Sequence, residues 1–267
     1  MKIRYNNLLL LIIIFFTQNL YSSEVIIQST TSTRDSGLYK YLLPKYPKYD
    51  SLVIKTIAVG TGQAIRNSKN CDGDLLIVHD EKREKQFLEQ GYGIKRHILM
   101  YNDFIIVGPK NDPANIRKSL TPDNAFLKIY VKKSNFVSRA DSSGTNAAEK
   151  KIWDAAKADP SIFSGSWYFE TGQGMGQSLN IAIALNAYII VDRSTWIKFS
   201  NKQNHRVLFS NKKLMQNPYG LILINPDKCP DNNYLQAKLL FDWLSSGSTK
   251  SLINDYKING NQVFFTY

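Results

Sequence analysis

Hydroxyl side chains next to backbone N–H groups are the chemistry this chain offers most densely. Ser29-Thr30-Thr31-Ser32-Thr33-Arg34-Asp35-Ser36-Gly37 follows the apolar run Val25-Ile26-Ile27 and precedes Leu38, Tyr41 and Leu42. The i, i+3, i+4 spacing of the last three marks one face of a helix, so the stretch reads as a strand–loop–helix junction. At such a junction the first helical N–H groups have no intrahelical partner, and the helix dipole adds partial positive charge. Four hydroxyl residues in a row, Thr30 to Thr33, would complete a cluster of donors suited to a small anion. The alternative is that one of them caps the helix and the others are solvated.

Four more junctions have the same character. Val59-Gly60-Thr61-Gly62-Gln63 joins a strand to a helix, and its glycines let the backbone approach a ligand. Ser138-Arg139-Ala140-Asp141-Ser142-Ser143-Gly144-Thr145, Thr171-Gly172-Gln173-Gly174-Met175-Gly176 and Asp192-Arg193-Ser194-Thr195 follow the same plan. Ligands of open α/β sheets sit beyond the carboxyl ends of the strands, where such loops collect. Arg139 is the cation expected at the site, because a guanidinium offers a rigid fork to oxyanion oxygens and stays charged. Its alternative role is an ion pair with Asp141 or Asp35; Arg34 and Arg193 are secondary candidates. About six charge-assisted hydrogen bonds at ~1.5–3 kcal/mol each exceed the ~8 kcal/mol of micromolar binding before desolvation is deducted.

Catalytic signatures are missing. There is no H-E-x-x-H, no G-x-S-x-G and no phosphate loop ending in Gly-Lys-Ser/Thr. Gly172-x-Gly174-x-Gly176 falls short of the dinucleotide fingerprint because Gln177 holds the last glycine position. His79, His97 and His205 have no ligand spacing and read as surface or structural residues. Asp35, Asp141 and Asp192 leave room for acid–base chemistry, so an enzyme acting on an anionic substrate stays a competing class.

The elements that must position these loops alternate between β-branched runs and helical periods, which predicts an α/β fold with parallel sheets. Strand-like runs are 25–28, 52–59, 75–78, 98–102 and 104–107, with helices at 37–43, 63–67 and 81–90. Gly108 to Pro113 breaks the pattern. A second series follows: strands at 136–138, 167–170 and 188–191, and helices at 147–157 and 178–186. A strand at 220–224, a helix at 235–244, another near Leu252 and a last strand at 262–265 complete the chain. The lengths fit two lobes facing a cleft, 24–106 plus 219–267 and 107–218.

Residues 1–23 have the layout of a secretory leader: Lys2 and Arg4, an apolar core from Leu8 to Phe16, and small residues at Ser22 and Ser23. The expected mature protein is soluble and periplasmic. The formal charge is +12, or +10 without Lys2 and Arg4 (32 minus 22). Scattered lysines and the lack of a zinc-finger or RNA-recognition signature argue against nucleic acid. Cys71 and Cys229, the only cysteines, form either one disulfide or two free thiols.

Thr30 to Leu38, Ala58 to Ala64, Gly91 to Lys110, Ser138 to Thr145, Trp167 to Gly176 and Val191 to Thr195 together resemble, in order, the TupA family. Its members are tungstate-specific periplasmic binding proteins of bacterial ABC transporters. The resemblance covers nearly the whole mature chain. It implies a type II-like two-lobe binding protein that closes on one tungstate ion and delivers it to a membrane permease, with no cofactor and no catalysis. The family's T-T-T-S ligand motif falls on Ser29, Thr30, Thr31 and Ser32, its binding arginine on Arg139, and its following donors on Ser143 and Thr145. Thr61 is added from the glycines around it. Ala140 and Ser142 depart from the usual S-R-G-D-D-S-G-T. Molybdate or sulfate would fit the same donors, phosphate less well because its residual proton wants an acceptor, and a periplasmic oxyanion sensor is a third class. A monomer is expected.

Overall fold

The computed structural model describes residues 23–267; nearly all of the expected leader lies outside them. Along the chain, β1 (Ser23–Thr30), α1 (Thr31–Ser36), α2 (Leu38–Leu42), β2 (Leu52–Val59), α3 (Thr61–Lys69), β3 (Leu75–Val78) and α4 (Glu81–Glu89) build the start of a first lobe. β4 (Gly93–Pro109) then runs into a second lobe. There it is followed by α5 (Pro122–Lys132), β5 (Phe136–Ser138), α6 (Gly144–Ala155), β6 (Tyr168–Glu170), α7 (Met175–Ala184), β7 (Ile189–Asp192), α8 (Arg193–Lys198) and β8 (His205–Ser210). β9 (Gln216–Ile224) returns to the first lobe, where α9 (Tyr234–Leu244), α10 (Gly247–Asp255) and the short β10 (Lys257–Ile258) and β11 (Asn261–Gln262) finish the chain.

The sheet order is β2-β1-β3-β9-β4-β7, with β8 also on β4. β1 pairs parallel with β2 and β3, but β9 is antiparallel to both β3 and β4, and β7 and β8 are antiparallel to β4. The expected parallel sheets are therefore mixed: a strand that enters from the other lobe arrives from the opposite direction. The separate strands expected at 98–102 and 104–107 are one continuous β4. Its partner changes from β9 to β7 and β8 between Asp103 and Phe104.

Alternation along the strands sets the layers. In β3, Leu75 and Ile77 face a core containing Leu38, Leu42 and Phe241, whereas Leu76 and Val78 face Ala64, Ile65 and Phe87 of α3 and α4. In the second lobe Phe104 and Ile106 pack on the α5 and α6 side with Phe126 and Trp153, and Ile105 and Val107 pack with Leu179 and Ala182 of α7. The sheet of each lobe thus lies inside a sandwich of helices, β3 in the first and the second half of β4 in the other. Cys71 and Cys229 are joined in a disulfide that ties the end of α3 to the loop after β9, which settles the open alternative of the two cysteines. The strand expected at 262–265 is only β11, with Phe265 bridged to Tyr101 of β4. Among the described residues no helix is long and apolar enough to cross a membrane.

Candidate functional site

The carboxyl ends of β1, β2 and β3 face those of β5 and β7 across a cleft of about 350 Å³. Thr30, Thr31, Ser32, Thr61, Arg139, Ser143 and Thr145 all line it. The hydroxyl run is not a loop: Thr30 ends β1 in extended conformation and α1 starts at Thr31. The Thr30 side chain accepts no backbone N–H of that helix. Its Oγ1 instead lies 3.1 Å from the hydroxyls of both Ser32 and Thr33. The capping alternative is thereby excluded for Thr30. Gly60 before α3 and Gly174 before α7 leave their helices uncapped by side chains as well. Three helix starts without a side-chain cap thus line one space, although at α3 Gly62 N and Gln63 N already donate to Ser142 O and Gly60 O. By contrast, Ser143 caps α6 through Asn146 N and Asp192 caps α8 through Thr195 N.

Thr61 is 1% exposed, and its Oγ1 has no hydrogen-bond partner among the described residues. A buried hydroxyl left unpaired costs about 1–3 kcal/mol, so a ligand oxygen at this spot would recover that penalty.

Arg139 follows β5 and is nine-tenths buried. Its Nε donates to Gln173 O (3.3 Å) and its Nη2 to Asp141 Oδ2 (2.5 Å), while Nη1 has no acceptor among the described residues. The ion pair with Asp141 exists, but inside the site rather than on the surface. Asp141 also accepts from Ser143 N and Oγ, so the Ser143 hydroxyl proton is already engaged. Ala140 adopts φ +47°, a left-handed turn that swings Arg139 and Asp141 around it. Ser138 Oγ accepts from Ala140 N and donates to Glu149 Oε2, which also ties the turn to α6. Glu149 accepts from Tyr168 and Trp153 too, yet its burial pushes the carboxyl up to about 7.

The two sides meet at the rim. Ser142 O accepts from Gly62 N (3.3 Å) at the start of α3 and from Arg83 Nη1 (2.8 Å) on α4. A Cβ on Gly62 would come within 3.0 Å of Ser142 Cβ, so the close approach needs glycine there. A further bridge runs from Lys198 Nζ to Asp35 O (2.9 Å).

Three expectations need correction. Ser29 does not reach the cleft: it donates to Ile77 O and bonds Tyr39 OH in the core, because alternate residues of β1 face opposite ways. Arg193 is held by a bidentate pair with Asp103, whose carboxylate is buried, and does not line the cleft. His79, read as surface or structural, lines the cleft at the end of β3, with Nδ1 bonded to Asn217 Oδ1 (2.9 Å). Its place directly after a buried strand run was the signal available. Arg34 reaches the cleft edge but is exposed and paired with Asp35 (2.7 Å). Asp192 also lines the cleft, its carboxylate occupied by Ser194, Thr195 and Asn102.

Residues 19–247 match the model of the PBP superfamily domain. The tungstate-binding protein TupA of Peptoclostridium acidaminophilum is 39% identical over 234 residues, 87% of this chain and 81% of that protein. Among solved structures, the tungstate ABC transporter protein of Geobacter sulfurreducens is 40% identical and superposes with a TM-score of 0.79, covering 87% of this chain and 98% of that one. The tungstate-binding protein TupA of Desulfovibrio alaskensis G20 gives 37% identity and a TM-score of 0.79, covering 91% and 98%. With a two-lobe fold, a donor-lined cleft between the lobes and relatives of this similarity along most of its length, the chain belongs to the PBP superfamily and, within it, to the TupA family.

Proposed function

We infer that this protein captures tungstate in the periplasm and delivers it to an ABC permease in the membrane, without catalysing a reaction. The observation that carries the reading is the convergence of three uncapped helix starts, the orphaned Thr61 hydroxyl and the free Nη1 edge of Arg139 on one cleft. Such a site supplies donors to oxygens that carry no protons, as those of tungstate do near neutral pH. Thr30, Thr31, Ser32, Thr61, Arg139, Ser143 and Thr145 are the proposed ligands, holding the ion through its oxygens. Ser143 contributes mainly by fixing Asp141 and the start of α6. The lobes, 24–106 plus 219–267 and 107–218, close by bending the two strands that join them, β4 and β9, and hide the ion from water.

The test is calorimetric titration of the mature protein with tungstate, molybdate, sulfate and phosphate, alone and in competition. One-to-one tungstate binding that excess sulfate and phosphate do not displace is expected. Equal affinity for molybdate would make it a general oxyanion receptor, and no binding of any of the four would overturn the reading.

A further inference from the structure

The charge lining the cleft does not match a dianion. Arg34 and Arg139 face it together with Asp35 and Asp192, so the formal charges cancel, and Arg139 is also tied to Asp141. Among the described residues lining the cleft, His79 is the group that can change charge near neutral pH.

A chain of side-chain amides fixes its tautomer. Asp192 Oδ1 accepts from Asn102 Nδ2 (3.3 Å), Asn102 Oδ1 from Asn217 Nδ2 (2.7 Å), and Asn217 Oδ1 from His79 Nδ1 (2.9 Å). The ionised carboxylate at one end can only accept, which orients each amide in turn and places the imidazole proton on Nδ1. Nε2 of the neutral ring is therefore a bare lone pair. It would repel an oxyanion oxygen, and only on protonation does it become a donor.

The groups around the ring come from both lobes. Tyr219 of β9 packs on it with ring centroids 4.7 Å apart, and Gly144 of α6 lies against its edge, where a Cβ would strike Nδ1 at 2.5 Å. Asp192 from β7, Asp80 before α4 and Arg139 after β5 supply the nearby charges. Burial holds the empty-site imidazole below its ordinary range; Asp192 and Asp80 oppose this and Arg139 adds to it. An arriving dianion reverses the balance in favour of the charged ring.

Resting on the tungstate reading above, we propose that His79 takes one proton from solvent onto Nε2 as the oxyanion binds, so that the cleft gains a second cation only when loaded. The Nδ1–H bond to Asn217 is kept and no other bond changes. Affinity then falls by up to about tenfold per unit rise in pH, across the window between the free and the loaded imidazole.

The test is tungstate calorimetry on the mature protein between pH 7 and 8.5 in buffers of different ionisation heat, for the wild type and His79→Gln. Uptake approaching one proton per ion in the wild type, with weaker and proton-silent binding in the variant, is expected. Nitrogen-15 spectra of the wild-type histidines give an answer independent of how the variant folds: Nδ1–H alone when empty, both nitrogens protonated when loaded. Tungstate binding without proton uptake, uptake that persists in His79→Gln, or a loaded ring that stays neutral would each overturn the proposal. Failure to bind tungstate at all would overturn the oxyanion reading, and this proposal with it.

Discussion

Arg139 is committed on two of its nitrogens and open on the third, and this defines what a substitution removes. Arg139→Ala should weaken tungstate binding by ~1.5–3 kcal/mol, roughly 10- to 150-fold, with Arg139→Lys between it and the wild type. Calorimetric affinities alongside unchanged circular dichroism would verify both. Glu149 yields a prediction on stability. Its folded-state carboxyl is pushed up to about 7, so its contribution is fully present below the unfolded value of about 4.3 and is lost as pH rises through about 7. Melting temperatures of Glu149→Gln, measured relative to the wild type, should rise from pH 4 to pH 8. At this scale the sequence was legible wherever a hydroxyl, a glycine and a strand end coincide, as at Thr61 and Ser143. It was not legible at Ser29, because the last residue of a strand to face the core cannot be told from the first to face a ligand. At His79 the one signal was its place directly after the buried run of β3, and without a spaced partner it did not point to a ligand.

Among the elements, the turn after β5 holds backbone strain. Ala140 sits at φ +47°, where an L side chain costs about 1–2 kcal/mol; the family pattern has glycine there. Ala140→Gly gives back part of this through the freer unfolded chain, leaving a net gain of ~0.5–1 kcal/mol measurable by denaturant titration. Local patterning gave away β2, whose residues alternate in burial, β3, whose apolar run is uninterrupted, and the short β5. It missed α8, a six-residue helix whose capping residues look like loop, and α5, although Thr121 and Pro122 form a cap and first-turn signature. Strand direction was hidden altogether, since nothing within residues 216–224 states that they will lie antiparallel between β3 and β4.

For the whole molecule, the rim contacts of Ser142 with Gly62 and Arg83 exist only while the lobes are close. Arg83→Ala should speed tungstate release about fivefold, ~1 kcal/mol, without lowering the melting temperature of the empty protein; stopped-flow tryptophan fluorescence would measure it. That two lobes exist could be read from the break at Gly108 to Pro113, but their joining strands could not be read as one long β4. The return of β9 has a consequence in time. A chain made from its N-terminus delivers β1, β2 and β3 first, yet β3 and β4 are separated by a strand that lies more than a hundred residues later. The second lobe is continuous in sequence apart from that crossing and can consolidate as it emerges. The first must wait, its sheet open at β3, until Gln216–Ile224 arrives and Cys229 meets Cys71. The lobe that contributes most of the hydroxyl donors is therefore the last to assemble, and the protein acquires its cleft only when its final fifth has been made.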